Sequence, residues 1–319
     1  MDKKYILTDL TKEITGYVRK LHRIQAIRDF GNVKSGELGG WIEKEDNLSH
    51  EGNCWVYDDA QVYGNAQVDG NALVRDHARV YDNAQVFCSA QVFGNAQVYG
   101  SARVSGHAQV YGYAQAYGSA CVYDNARVYD YAQVHGNARI CINALIYDRA
   151  LVYGDVLVYG HAQIWDDARV YDDARVFGNA HIYGNAVLHG NAQVYGSARV
   201  YDNARVYDYA QVHGHARVHG DAYVYGNSWV NNNAEVYGDA WVFGSAIISG
   251  DAVIKIMGDY IVFQNTWSSG RCFTWTRSNN MWRVGCFYGT GDELIEKAKK
   301  DDLHKGEMYE KYVNFVKTL

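Results

Sequence analysis

The chain has 319 residues, 48% hydrophobic and 21% charged, with 28 Tyr, 32 Gly and no Pro, which is material for a sizeable core and, by length alone, for about two domains. A net charge of -6 excludes a strongly basic nucleic-acid binder, and the lack of any run of about 18 apolar residues excludes a membrane-spanning helix. The start, Met1 to Leu10, does not read as a cleavable signal, and six Cys without a CxxC pair fit free thiols in a reducing compartment, so a cytoplasmic location is expected.

In chain order, residues 1–53 read as a cap, with Tyr5–Leu7 and Arg23–Ile27 as short strands. From Ala60 to Ala252 the chain then repeats every six residues as Ala-x-Val-Tyr-Gly-Asn, through 32 hexads with no insertion or deletion. The first position is Ala in 31 of 33 cases, the exceptions being Val156 and Ser228, and the third is Val, Ile or Leu except at Ala116. Alternation of small or aliphatic residues with polar ones marks a strand with one buried face. The Gly-Asn and Asp-Asn pairs supply the left-handed backbone of a sharp corner. Each hexad is therefore one short strand and one corner, and three of them close a triangular coil of 18 residues. Stacked coils make a parallel β-helix, about 11 coils over residues 54–256.

This pattern resembles the left-handed β-helix, hexapeptide-repeat (trimeric acyltransferase-like) superfamily, and the handedness is implied by that resemblance. The block from Arg23 to Glu43, followed by Asn47-Leu48-Ser49, is similar to YdcK-like hexapeptide proteins of bacteria and their phages. Acyltransferases of the superfamily use a His as general base, in sites walled by loops that interrupt the coil. No such loop occurs here. His135, His189 and His213 are the candidate bases if the chemistry is retained. No metal site is expected, because His107, His161 and His215 recur only every third coil, about 14 Å apart. The cluster His213, His215 and His219 resembles the His-rich sites of hexapeptide carbonic anhydrases only loosely, and its spacing does not match. No cofactor is expected either.

Sorted by 18-residue coils, the outward fourth positions form ladders of rings. One face carries Tyr63, Tyr81, Tyr99, Tyr117, His135, Tyr153, Tyr171, His189, Tyr207, Tyr225 and Phe243; a second carries Phe93, Tyr111, Tyr129, Tyr147, Trp165, Tyr183, Tyr201, His219 and Tyr237. Stacked rings at strand spacing stabilise the coils themselves. So much ring surface is also what a protein interface or a stacking ligand uses, so Tyr81, Tyr99, Tyr117, Tyr153, Tyr171, Trp165 and Tyr183 are candidate contact residues. Residues 60–252 hold 17 acids against 11 Arg and no Lys, a mixed surface that argues against nucleic acid. Segments 118–140 and 196–218 match at 20 of 23 positions with an offset of 78. That offset is not a whole number of coils, so the copy moves to another face, which suits a scaffold better than a fixed site.

Residues 257–319 read as a separate module. Cys272 to Arg277 and Met281 to Cys286 form a hairpin centred on Asn279, placing Cys272 opposite Cys286 and Trp275 opposite Arg283. The Cys pair is read as reduced and packed, with a cross-strand disulfide or half a metal site as alternatives. Trp275 and Trp282 join the candidate contact residues. Two helices follow, the first capped by Asp292 and running through Lys300, the second with an apolar stripe of Met308, Tyr312, Phe315, Val316 and Leu319. The expectation is a non-enzymatic rod acting through protein contacts or self-assembly, on a phage reading by inhibiting a host factor. Acyl transfer from a ladder His and ligand capture on the rings are the alternatives.

Overall fold

The computed structural model describes residues 2–14, 19–267 and 270–319. The chain forms two compact units, Met1–Asn185 and Ala186–Leu319, and both are built on a parallel β-solenoid. No helix among the described residues is long and apolar enough to cross a membrane.

The first unit opens with an antiparallel hairpin of Tyr5–Ile14 and Arg19–Ala26, longer than the two short strands expected. Leu21, Ile24 and Ala26 supply its buried face. Strand Leu38–Ile42 pairs antiparallel with the hairpin and parallel with Gln61–Val62, so the cap continues one solenoid sheet. Gly39 and Gly40 allow this approach: a Cβ on either would lie 2.5 Å from the Trp55 ring or 2.6 Å from Val56.

Each hexad then gives a two-residue strand that pairs in parallel with the strand 18 residues on, as Gln61↔Arg79 and Val62↔Val80 show. The Ala and Val positions are fully enclosed, Val156 and Ala116 among them at 0% exposure. Fifth positions take positive φ, 69° at Gly64 and 61° at Asp76, as the corner residues predict. An Asp there also reaches forward: Asp76 Oδ2 accepts from Gly94 N at 2.7 Å and Asp166 Oδ2 from Gly184 N at 3.0 Å. At strand ends and corners the main-chain bonds share one direction, from an earlier turn's N–H to a later turn's carbonyl. Gln61 N to Ala78 O at 2.9 Å and Asn65 N to Asp82 O at 2.6 Å are examples.

The first turn therefore presents carbonyls with no preceding turn to serve them. Asn47, fully buried, donates its Nδ2 to Gly64 O and Ala66 O at 3.2 and 2.9 Å. Lys4, also fully buried, donates its Nζ to Glu51 O, Gly52 O and Cys54 O at 3.3, 3.2 and 2.9 Å, and lies 4.9 Å from the Phe30 ring centre. Burial lowers the Lys4 pKa below that of an ordinary lysine.

In the second unit the coils run to Val253–Ile254 with the same register, for example Val187↔Arg205 and Glu235↔Val253. They meet an antiparallel meander of Tyr260–Gln264, Cys272–Thr276, Met281–Val284 and Phe287–Gly289, then helices α1, Gly291–Asp301, and α2, Leu303–Val316. The hairpin register differs from expectation by one residue. A four-residue turn, 277–280, with Asn280 at φ 53°, places Trp275 opposite Trp282 and Thr274 opposite Arg283. Cys272 therefore faces Gln264, whose Oε1 its Sγ meets at 2.8 Å, while Cys286 sits exposed past Gly285; both are free thiols.

Helix α1 is capped by Thr290 rather than Asp292. Its Oγ1 accepts from Glu293 N at 3.3 Å, and Glu293 Oε2 accepts from Thr290 N at 2.8 Å, closing a capping box. The buried face of α2 is Gly306, Tyr309, Val313 and Val316, rotated from the expected stripe, so that Phe315 and Leu319 are exposed. The module thus has its own core of Phe273, Trp275, Trp282, Val284, Leu294, Ala298, Tyr309, Val313 and Val316.

Candidate functional site

The ladders form as the spacing predicts, and their geometry decides what they can offer. In the first unit Tyr63, Tyr81, Tyr99 and Tyr117 stack with centroids 4.8–5.0 Å apart and planes within 5°. His135, Tyr153 and Tyr171 continue the column. Phe93, Tyr111, Tyr129, Tyr147, Trp165 and Tyr183 form the second column. In the second unit His189, Tyr207, Tyr225 and Phe243 stack, as do Tyr201, His219 and Tyr237.

This stacking uses up the ring faces. At such spacing no further ring fits between neighbours, and the first ring of the second column, Phe93, has the Arg75 guanidinium over it at 4.5 Å. What reaches solvent are ring edges, and several hydroxyls are held too. Tyr81, Tyr99, Tyr117 and Tyr195 each donate to the Gln 16 residues later, Oε1 of Gln97, Gln115, Gln133 and Gln211, at 3.2–3.3 Å. Removal from water raises the pKa of Tyr99, Tyr111, Tyr117, Tyr147 and Tyr153, and that of Tyr129 to about 12 with its Tyr111 and Tyr147 neighbours adding to the effect.

The candidate bases sit inside this arrangement. His135 lies between Tyr117 and Tyr153 at 4.6 and 4.9 Å, and His189 stacks on Tyr207 at 5.0 Å. His213 stacks on Tyr195 at 4.7 Å and meets the Trp229 edge at 6.2 Å. Burial lowers the pKa of both His135 and His213. The buried Nε2 of His213 has no hydrogen-bond partner. Sequence spacing carries no hint that the ladder residue His219 has carboxylates beside it, Glu235 Oε1 at 2.9 Å and Asp202 Oδ2 at 3.7 Å. Its Nε2 is thereby held by Glu235, and Nδ1 lies within ion-pair distance of Asp202. Among the described residues no group of three or more His, Cys, Asp or Glu converges as metal ligands.

Trp275 and Trp282 are not surface residues. They are 6% and 1% exposed and form the module core, because alternate residues of adjacent antiparallel strands share one face. The exposed rings lie elsewhere. Tyr113 and Tyr131, at the sixth hexad position where Asn or Ser is usual, stack at 5.0 Å and are 53% and 59% exposed. Their 18-residue separation is the signal that sequence offers. In the second unit Trp229, Trp241 and Phe243 are 40%, 45% and 38% exposed. Concave surface is found in the C-terminal part of this unit: a cavity of about 440 Å³ between Phe243, Met257 and Tyr260, and one of about 240 Å³ against α1 and α2. His135, His189 and His213 line neither of these two cavities.

Comparison with known proteins agrees with this architecture. Residues 90–106, 120–136, 168–184 and 198–214 match the family model described as the YdcK Beta solenoid repeat. A stretch of 38 residues is 55% identical to "Uncharacterized acetyltransferase YdcK" of Escherichia coli (strain K12), covering 12% of this chain and 12% of that protein. Four stretches of the solenoid thus resemble the YdcK repeat, and the matched region spans about an eighth of the length of that relative.

Proposed function

We propose that the protein is a non-enzymatic scaffold that engages a protein partner, a different protein or a second copy, through its exposed rings and C-terminal module. One observation carries this reading: the coil runs without an interrupting loop, and each candidate base is packed among rings of its own ladder. A general base needs its nitrogen within hydrogen-bond reach of a bound acceptor group, and a stacked, flat face provides no walls to hold that acceptor. The exposed Tyr113–Tyr131 pair, by contrast, is a large rigid amphipathic surface of the kind enriched at interfaces. The test is affinity purification from the native host with mass measurement of the complex, repeated with Tyr113→Ser/Tyr131→Ser. Loss of the complex with the fold intact is expected, and a complex unaffected by the double variant overturns the assignment of this surface.

The name of the relative favours a second reading, acetyl transfer from acetyl-coenzyme A with His135, His189 or His213 as base. Acetyl transfer by the purified protein that disappears in His135→Ala, His189→Ala or His213→Ala would establish it in place of the scaffold reading. Inhibition of a host factor by a phage-encoded copy is a narrower form of the first reading, and the same purification tests it by the identity of the partner.

A further inference from the structure

The cavity of about 240 Å³ in the C-terminal module is lined by apolar side chains at its base and cations at its edge. Val284, Leu294, Ala298 and Tyr309 are at most 7% exposed, and Arg271, Lys297 and Lys305 stand over them with Asp301 as the acid in the lining. The lysines differ from others in the module. Lys299, Lys300 and Lys317 pair with Glu310, Glu296 and Asp292 at 3.0, 2.7 and 3.3 Å. Lys297 and Lys305 have no carboxylate within ion-pair distance among the described residues, and Lys297 is held 5.5 Å over the Phe287 ring. A second feature is independent of charge. Tyr309 is only 7% exposed, yet its hydroxyl makes no hydrogen bond to any described residue. Tyr309 lines the cavity, so that hydroxyl can donate to an acceptor group bound there.

We propose that this cavity is a binding site for a small organic monocarboxylate with an apolar body about the size of a benzene ring. A cavity of about 150 Å³ is known to hold benzene, so this one has room for the ring and a carboxylate. The ring lies on Val284, Leu294 and Ala298; the carboxylate accepts from the Tyr309 hydroxyl and faces Lys297 and Lys305, whose charge exceeds that of Asp301. The site lies in the module that the proposed function also offers to a partner, but the argument for it does not depend on that reading.

The test uses the full chain and three probes: benzoate, the neutral isostere benzyl alcohol, and inorganic phosphate. Binding is followed by amide shifts of residues 284–309 in nuclear magnetic resonance spectra. Benzoate is expected to bind at least tenfold more tightly than either other probe. Lys297→Ala/Lys305→Ala should weaken benzoate about tenfold while leaving benzyl alcohol unchanged. Tyr309→Phe, which keeps the packing ring, should weaken benzoate by about threefold to tenfold. Equal binding of benzoate and benzyl alcohol, preference for phosphate, no shift in the module, or variants that bind benzoate as the parent does would each overturn the proposal.

Discussion

The first coils of the N-terminal unit and the last coils of the C-terminal unit face different chemical problems and close in different ways. At the N-terminal end the first turns expose carbonyls, and the cap answers with donors, the Lys4 ammonium and the Asn47 amide. At the C-terminal end the last turns expose N–H groups, and the closing groups are oxygens. Ile247 N donates to Thr274 Oγ1 at 3.0 Å, Val253 N to Ser278 Oγ at 2.7 Å, and Lys255 N and Ile256 N to Asp259 Oδ2 at 2.7 and 3.0 Å. Tyr260 serves both kinds of group, accepting from Phe243 N at 3.4 Å while donating to Trp241 O at 3.0 Å. Gly64 N at the first edge still donates to Glu43 Oε2 at 2.6 Å, and the Tyr288 hydroxyl at the last donates to Ser249 O at 3.4 Å. The polarity of the stack is therefore a bias, with donors prevailing in the first cap and acceptors in the second. An uncapped edge of either kind is a template for another strand.

The C-terminal cap can be removed as a unit. Trp282→Ala should cost about 3–5 kcal/mol and unfold the module. Hydrogen exchange should then rise at Ile247 and Val253, and larger species should appear in size-exclusion chromatography. A monomer with parent-like exchange at those amides would mean that the coil end needs no cover. Lys4→Met keeps the length of the side chain but leaves the carbonyls of Glu51, Gly52 and Cys54 without the ammonium, only that of Cys54 in a buried bond, for about 1–3 kcal/mol. Its faster exchange should centre on residues 51–74, and thermal melting with no change would remove the ammonium from the account.

Single oxygens come next. Thr274→Val deletes the acceptor for Ile247 N and should cost about 1–2 kcal/mol, measurable by chemical denaturation with the module still folded. The smallest effect per group lies between the ends, in the ladders. The Tyr129 pKa is raised to about 12, against about 10 for an unfolded tyrosine. The folded chain keeps a proton that the unfolded chain releases, so this contribution is complete below pH 10 and is lost as pH rises from 10 towards 12. Absorbance at 295 nm should show ladder tyrosines ionising late and together with loss of circular dichroism. Ionisation near pH 10 with the dichroism intact would count against ring burial.

Much of the fold is legible in the sequence because each hexad position serves a single role, whether an enclosed methyl-sized residue, an enclosed Val, an outward ring or a left-handed corner. The ladders follow from the same arithmetic. What escapes depends on contacts between distant residues or on a turn of unknown length. Nothing local separates Lys4 from a solvated lysine, since its carbonyl partners lie about 50 residues on. The hairpin register differs by one residue because the turn takes four residues, 277–280, where symmetry about Asn279 suggests three. The alternation of Phe273 with Trp275 and of Trp282 with Val284 does mark a shared face, but nothing in it says that two helices cover that face. Thr290-x-x-Glu293 is a capping signature legible in the sequence, and the nearby Asp292 competes with it as an equally ordinary cap. Of the candidate site, residue types and spacing place the His and Tyr columns, but not the fact that stacking closes their faces.

The forward-pointing N–H groups and corner carboxylates also bear on how the chain is made. Every finished turn offers strand-end N–H donors and, at its Asp corners, carboxylate acceptors to residues that have yet to follow it in sequence, and the partners stay about 18 residues apart however many turns precede them. A nascent polypeptide leaving the ribosome thus meets a completed template after each new turn. Winding can proceed vectorially, one rung at a time, with no long loop to close.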